Sequence, residues 1–224
     1  MSSFLFRNSS LDFYNIDDYV FSDQSKKQRL LEIANERMEH CDSILVLSTE
    51  GNGGTMLLCS TLKRMIDNES EFIIFSGESY RGLAKMPVSE FIQKCESYQF
   101  IVFDNIEYGC SKPNQYSWLS LVYKELKKCG KKTLATYTVL DEKDLQVPDF
   151  IQACRHEQFN SLSEPAIYPE IVRRAFKEAD YENVCEELIH CFASNTTISV
   201  RELEGLCISH FANEYLMRVG IRYQ

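Results

Sequence analysis

The chain has 224 residues, enough for one substantial core or for a core with a small second domain. Its net charge of −9 excludes a surface that binds nucleic acid broadly, because neutralising phosphates needs clustered Lys and Arg. Nine cysteines, with no CxxC pair and no Cys-His cluster at zinc-ligand spacing, predict a reduced, cytoplasmic protein without disulfides or a zinc site.

The start, MSSFLFRNSS, lacks the charged and long apolar regions of a secretion leader. No run approaches the roughly 20 apolar residues of a membrane span. Short apolar, β-rich runs then recur: SILVLS (43–48), EFIIFS (71–76), QFIVFD (99–104), KTLATYT (132–138) and a weaker fifth, EQFNSL (157–162). Helical stretches separate them. TMLLCSTLKRMID places Leu57, Leu58, Leu62 and Met65 on one face, and YSWLSLVYKELKKC does the same with Trp118, Leu121, Val122 and Leu126. The basic run KELKKCGKK (124–132) reads as a solvated helix end, with lysines at the C-terminal dipole. Alternating strands and helices predict an α/β fold with a parallel sheet covered on both faces.

The pattern changes after Pro165. Residues 167–217 carry helical periodicity alone, and Pro169 suits a first helical turn. Ser199 and Glu202 have the S-x-x-E form of a capping box, which predicts a last helix starting near residue 200. The expected organisation is a tail over 1–12, an α/β domain over 13–163 and a small all-helical domain over 164–224.

The chemistry concentrates after the first strand. SILVLSTEGNGGTMLLCSTL runs from strand through glycine turn to helix, which is where a phosphate-binding loop belongs. Gly51, Asn52, Gly53 and Gly54 would bring backbone N–H groups to the phosphates, and Thr55 would offer a hydroxyl to Mg²⁺. The lysine of the pattern is missing, and Gly54 holds its place. Loss of one charge-assisted hydrogen bond costs about 1.5–3 kcal/mol, which weakens nucleotide binding roughly ten- to hundredfold. By itself this run fits either a nucleotide site or a structural turn. Asp104 ends the third strand at the carboxyl edge, where a phosphate-loop protein keeps its magnesium-side carboxylate. Asn105 follows it, and an amide cannot take a proton from water.

TTISVRELEGLCISHFA closely resembles the NVRELEGAL segment of the bacterial replication initiators of the DnaA family. With the glycine turn and FDNIE, it makes residues 13–215 similar to the AAA+ domain of that family, and most like its short Hda-type branch. The resemblance implies a five-stranded parallel AAA+ sheet with helices on both faces, a helical lid, and ADP or ATP, with Mg²⁺, at their junction. Arg201 falls on the lid arginine that reaches the phosphates. Thr138 and Val139 stand where the family often has a polar residue followed by Asp. PDFIQACRHEQF replaces the segment bearing the arginine finger, so Arg155 is the candidate finger only with a shifted loop. Ser2 to Phe6 has the spacing of a sliding-clamp-binding peptide with Ser in place of Gln, so that Leu5 and Phe6 would be its anchors.

Three functions follow from the resemblance. The first is an Hda-like regulator that binds DnaA and the clamp and promotes hydrolysis of DnaA-bound ATP, with little ATPase of its own. The second is an AAA+-shaped adaptor that needs no nucleotide. The third is an initiator ATPase without its DNA-binding domain, disfavoured because only about twenty residues follow RELEG. Self-association stays open.

Overall fold

Five parallel strands alternate with helices in the computed structural model, which describes residues 11, 14–76, 79, 82–109, 113–139, 157–161, 165–179, 185–194 and 198–218. Arg155, Leu5 and Phe6 lie outside the described residues. The strands are β1 (Ser43–Thr49), β2 (Phe72–Phe75), β3 (Phe100–Phe103), β4 (Lys132–Val139) and β5 (Glu157–Ser161), in the spatial order β2-β3-β4-β1-β5. Helices α1 (Gln24–Asn35), α2 (Gly54–Met65), α3 (Val88–Lys94), α4 (Ile106–Gly109) and α5 (Pro113–Lys128) belong to this unit. The continuous apolar runs are explained by the two covered faces of a parallel sheet. Leu45, Leu47, Ile73, Phe75, Ile101 and Phe103 point to the side closed by α3 and α5. Ile44, Val46, Phe72, Phe100, Val102 and Leu134 point to the side closed by α1 and α2.

Leu57, Leu58, Leu62 and Met65 are all buried, as their spacing predicts. On α5 the expectation holds for Trp118, Val122 and Leu126 but not for Leu121, which is 52% exposed. The buried arc turns instead toward Leu119 and Tyr123. At about 100° per residue, Leu121 falls roughly 60° beyond its edge. The basic run does end a helix in solvent: Lys127 pairs with Asp42 and Lys128 with Glu125, and Gly130 turns the chain at φ 68°.

Helices α6 (Tyr168–Glu178), α7 (Glu186–Ala193) and α8 (Val200–Arg218) build a separate core around Tyr168, Val172, Phe176, Ile189, Leu203 and Cys207. Pro169 sits in the first turn of α6. The capping box forms: Ser199 N donates to Glu202 Oε2 at 2.8 Å, and Glu202 N donates to Ser199 Oγ at 3.3 Å. Tyr168 Oη donates to the Ile198 carbonyl at 2.5 Å, which fixes the approach to α8 against the start of α6. Cys59, Cys95 and Cys207 are buried, and burial pushes their thiols up to about 12, 12 and 11, so they pack as inert small hydrophobes.

Candidate nucleotide site

β1 is the inner strand between β4 and β5, and its carboxyl end opens into the loop 50–53 before α2. Gly51 and Gly53 adopt φ of 77° and 81°, a region that L side chains rarely enter. Gly53 precedes the first turn of α2, so the helix N-terminus faces the loop's concave side. That is the part of a phosphate loop that backbone geometry alone provides.

Beside it lies the carboxylate predicted from sequence. Asp104 is 8% exposed. Its Oδ1 accepts from Thr55 Oγ1 at 2.9 Å and from Thr136 Oγ1 at 2.7 Å. Thr136 Oγ1 in turn accepts from Asn105 N at 2.6 Å, and Asn105 takes a left-handed φ of 54°. Burial pushes the Asp104 carboxyl up, and the hydroxyls of Thr136 and Thr55 and the Asn105 N–H pull it back. Thr55 and Asp104 are therefore brought together by two elements nearly fifty residues apart. Among the described residues no group of three or more His, Cys, Asp or Glu side chains forms a metal cluster. A cation here would complete its shell with water or phosphate oxygens.

The structure adds a carboxylate that the strand pattern did not reveal. Glu107, on α4, accepts from Thr138 N at 2.9 Å through Oε2, while its Oε1 is buried without a hydrogen-bond partner. Burial raises its carboxyl above the ordinary range, helped by the charge of Asp104 and opposed by Thr138. Thr138 is thus tied to the Asp104 turn through its backbone. Glu107→Gln keeps an acceptor for Thr138 and removes a buried charge. The amide still leaves one polar atom in the unpartnered Oε1 place, so the gain is that of removing the buried charge, about 1–2 kcal/mol, or roughly 2–8 °C in Tm for a chain this long. The sign with pH is fixed. With its folded pKa raised, the wild type is at full stability below the unfolded value of 4.5 and loses stability as pH rises toward the folded value. The gain of Glu107→Gln therefore appears at neutral pH and vanishes below about pH 4.5. Melting curves at pH 4 and pH 7.5 check it, and an equal gain at both would refute the buried-charge account.

Arg201 reaches the loop by its backbone. Its N–H donates to the Gly51 carbonyl at 3.1 Å, Val200 N donates to Asn52 Oδ1 at 3.0 Å, and Asn52 Nδ2 donates to Thr49 Oγ1. Asn52, 5% exposed, is spent on this staple. The Arg201 side chain itself is exposed and starts at the lip of the loop.

A cleft of about 540 Å³ opens between the loop and the helical core. Its walls are largely apolar, with Tyr19, Val20, Met56, Ile171 and Phe211 among them. Its charged side chains include Glu178, Glu204 and Arg174, the last turned to Glu170 and the Asp17 carbonyl. Glu204 is raised by burial and by Glu178, against the pull of Arg201.

No family model and no curated protein matches the sequence, but solved structures do match the fold. Domain III of the replication initiation protein DnaA from Thermotoga maritima superposes with a TM-score of 0.68 at 18% identity, over 94% of this chain and 92% of that one. AMPPCP-bound DnaA from Aquifex aeolicus gives 0.67 at 17%, over 86% and 63%. The FIGL-1 AAA domain in complex with ADP gives 0.63 at 12%, over 88% and 72%. The fold is that of the DnaA AAA+ domain. The chain spans about two thirds of the longer DnaA structure and nearly all of the isolated domain.

Of the site residues read from sequence, Gly51, Asn52, Gly53, Gly54, Thr55, Asp104, Asn105, Thr138 and Arg201 are brought to one end of the sheet. Their tasks differ: Thr55 and Asp104 pair directly, Asn52 holds α8, and Thr138 meets Glu107. The residues missed are Glu107 and the cleft carboxylates Glu178 and Glu204. Glu107 stood in the FDNIE motif, three places after Asp104 on the first turn of a helix, and that spacing was its available signal.

Proposed function

We propose that this chain is an Hda-like regulator of replication initiation. It binds ATP-bound DnaA, and promotes hydrolysis there rather than in its own site. The observation that carries this reading is a phosphate loop that keeps its glycine turn and its Thr55–Asp104 pair but has Gly54 in the lysine position and Asn105 after the acidic residue. Such a site suits a nucleotide held without turnover. The donor set fits ADP or ATP: loop N–H groups and the α2 N-terminus for phosphates, Thr55 and Asp104 for Mg²⁺, and the cleft walls for a base. A bound nucleotide would supply only its phosphates' charge and its base's packing surface. The chain's residues orient it, and Arg201 stands where it can approach the phosphates from α8.

The regulatory chemistry is assigned to Arg155, offered in trans to the γ-phosphate of DnaA-bound ATP; such arginines accelerate hydrolysis by about 10³–10⁵ in related systems. Leu5 and Phe6 would anchor the sliding clamp, since a few apolar anchors carry most of a short peptide's affinity. Among the described residues no helix is long and apolar enough to cross a membrane.

The test is single-turnover hydrolysis of ATP by purified DnaA, with and without this chain. Hydrolysis is expected to rise, and Arg155→Ala is expected to abolish the rise while co-sedimentation with DnaA persists. No rise at saturating chain and clamp would sink the regulatory reading. A second reading, a nucleotide-independent adaptor, is favoured by one observation. The first turn of α8 is fixed on the loop by protein atoms, so the helical core has a docking contact of its own.

A further inference from the structure

A Cβ built on Gly54 would lie 2.5 Å from Ser48 Oγ and 2.8 Å from Ser48 Cβ. The second distance matters more, because a hydroxyl can rotate away but a Cβ moves only with its strand. Ser48 is 4% exposed on the inner strand β1, paired in register with Thr138 on one side and Ser161 on the other. Its backbone is therefore held in the ladder on both sides. Gly54 has no left-handed φ, so space and not backbone conformation requires glycine there.

Aligning Gly53, Gly54 and Thr55 with the last three places of the phosphate-loop pattern G-x-x-x-x-G-K-[ST] puts its first glycine on Ser48. The pattern has glycine first and a long side chain later; this chain has a side chain first and glycine later. The two positions have exchanged their small residue.

We infer that Ser48 is a specificity-determining residue of the phosphate loop: with Gly54 it forms an interlocked pair that excludes a cation from position 54, and the pair sets the affinity for phosphates. This deepens the nucleotide reading above and rests on it. The absent lysine is then a packing state shared by two residues, which a single substitution cannot reverse.

Two measurements test it. The first needs no ligand: a thermal double-mutant cycle of Ser48→Gly, Gly54→Ala and the pair. Gly→Ala at an unstrained helical position ordinarily stabilises. Here Gly54→Ala is expected to lower Tm by about 2–12 °C, the penalty of overpacking, and Ser48→Gly is expected to recover most of it. Additive effects would overturn the interlock. The second is ADP titration by calorimetry. Gly54→Lys alone is expected to bind ADP no more tightly than wild type, whereas Ser48→Gly with Gly54→Lys should bind roughly ten- to hundredfold more tightly than Ser48→Gly, the value of one charge-assisted bond. Equal gains in the single and double lysine variants would overturn the proposal. A coupled thermal cycle with no ADP binding in any variant would also overturn the claim about phosphate affinity. That result would locate the fault in the nucleotide reading and leave the packing contact standing.

Discussion

Gly51→Ala is expected to lower Tm by about 6–12 °C, the equivalent of roughly 3 kcal/mol in a chain this size. Two costs add. At φ 77° a side chain enters the left-handed region, at about 1–2 kcal/mol. The new Cβ would also lie 2.7 Å from Ser199 Oγ and 2.9 Å from Ser199 Cβ, and such overpacking costs about 1–3 kcal/mol. The strain falls where α8 meets the loop, because Gly51 O accepts from Arg201 N and Asn52 Oδ1 accepts from Val200 N. Amide exchange should therefore speed up at Val200 and Arg201 before it does in β1 or β3. A melt unchanged within 2 °C (a margin set by the same conversion) would show that α8 is not packed on Gly51. Asn52→Ala gives a milder version of the same break, since it removes the acceptor for Val200 N and the donor to Thr49 Oγ1 but leaves the backbone unstrained.

Gly51 also shows where a sequence stops being readable. Its place in a glycine-rich turn between strand and helix was legible, and so was the general reason, close approach of the backbone. The partner was not. The contact that most restricts Gly51 comes from Ser199 and Arg201, about 150 residues along the chain, and no local pattern records such a meeting. The first four strands, the cap at Ser199–Glu202 and the helix end at Lys127–Lys128 are legible because each is written in neighbouring residues: a short β-rich run, an S-x-x-E pair, lysines before a glycine. The fifth strand, EQFNS, has only Phe159 as a large apolar residue and carries a weaker signal. Leu121 was misplaced because periodicity gives the phase of a buried arc only to within a residue or so, and the phase is settled by what packs against it. Glu107 is not legible from the residue next to Asp104. The helix that starts at Ile106 instead turns the third residue back toward Thr138. The Thr55–Asp104 pair lies between these cases. Each half had a motif, and the sheet order β3-β4-β1 supplies the distance between them.

Phe103→Ala should be the most damaging core substitution for the site, costing about 3–5 kcal/mol or roughly 6–20 °C in Tm. The ring is fully buried on the α3/α5 side of the sheet, with centroids 5.6 Å from Phe75, 6.3 Å from Phe91 and 5.2 Å from Tyr123. Such ring pairs add about 0.5–1.5 kcal/mol to the burial itself. The functional consequence comes from chain order. Phe103 is the last residue of β3, and Asp104 follows directly, so the ring anchors the strand end that aims the carboxylate at Thr55. Phe103→Ala should therefore weaken Mg²⁺-dependent ADP binding more than Mg²⁺-independent binding, at a temperature where the variant is still folded. Phe100→Ala makes the comparison. Phe100 is equally buried but faces the α1/α2 side three residues earlier, so it should cost similar stability and leave the magnesium dependence unchanged. If both variants lose the magnesium dependence alike, global loosening accounts for the effect. If only Phe103→Ala does, the aromatic cluster under β3 is part of how this fold holds its acidic residue in place.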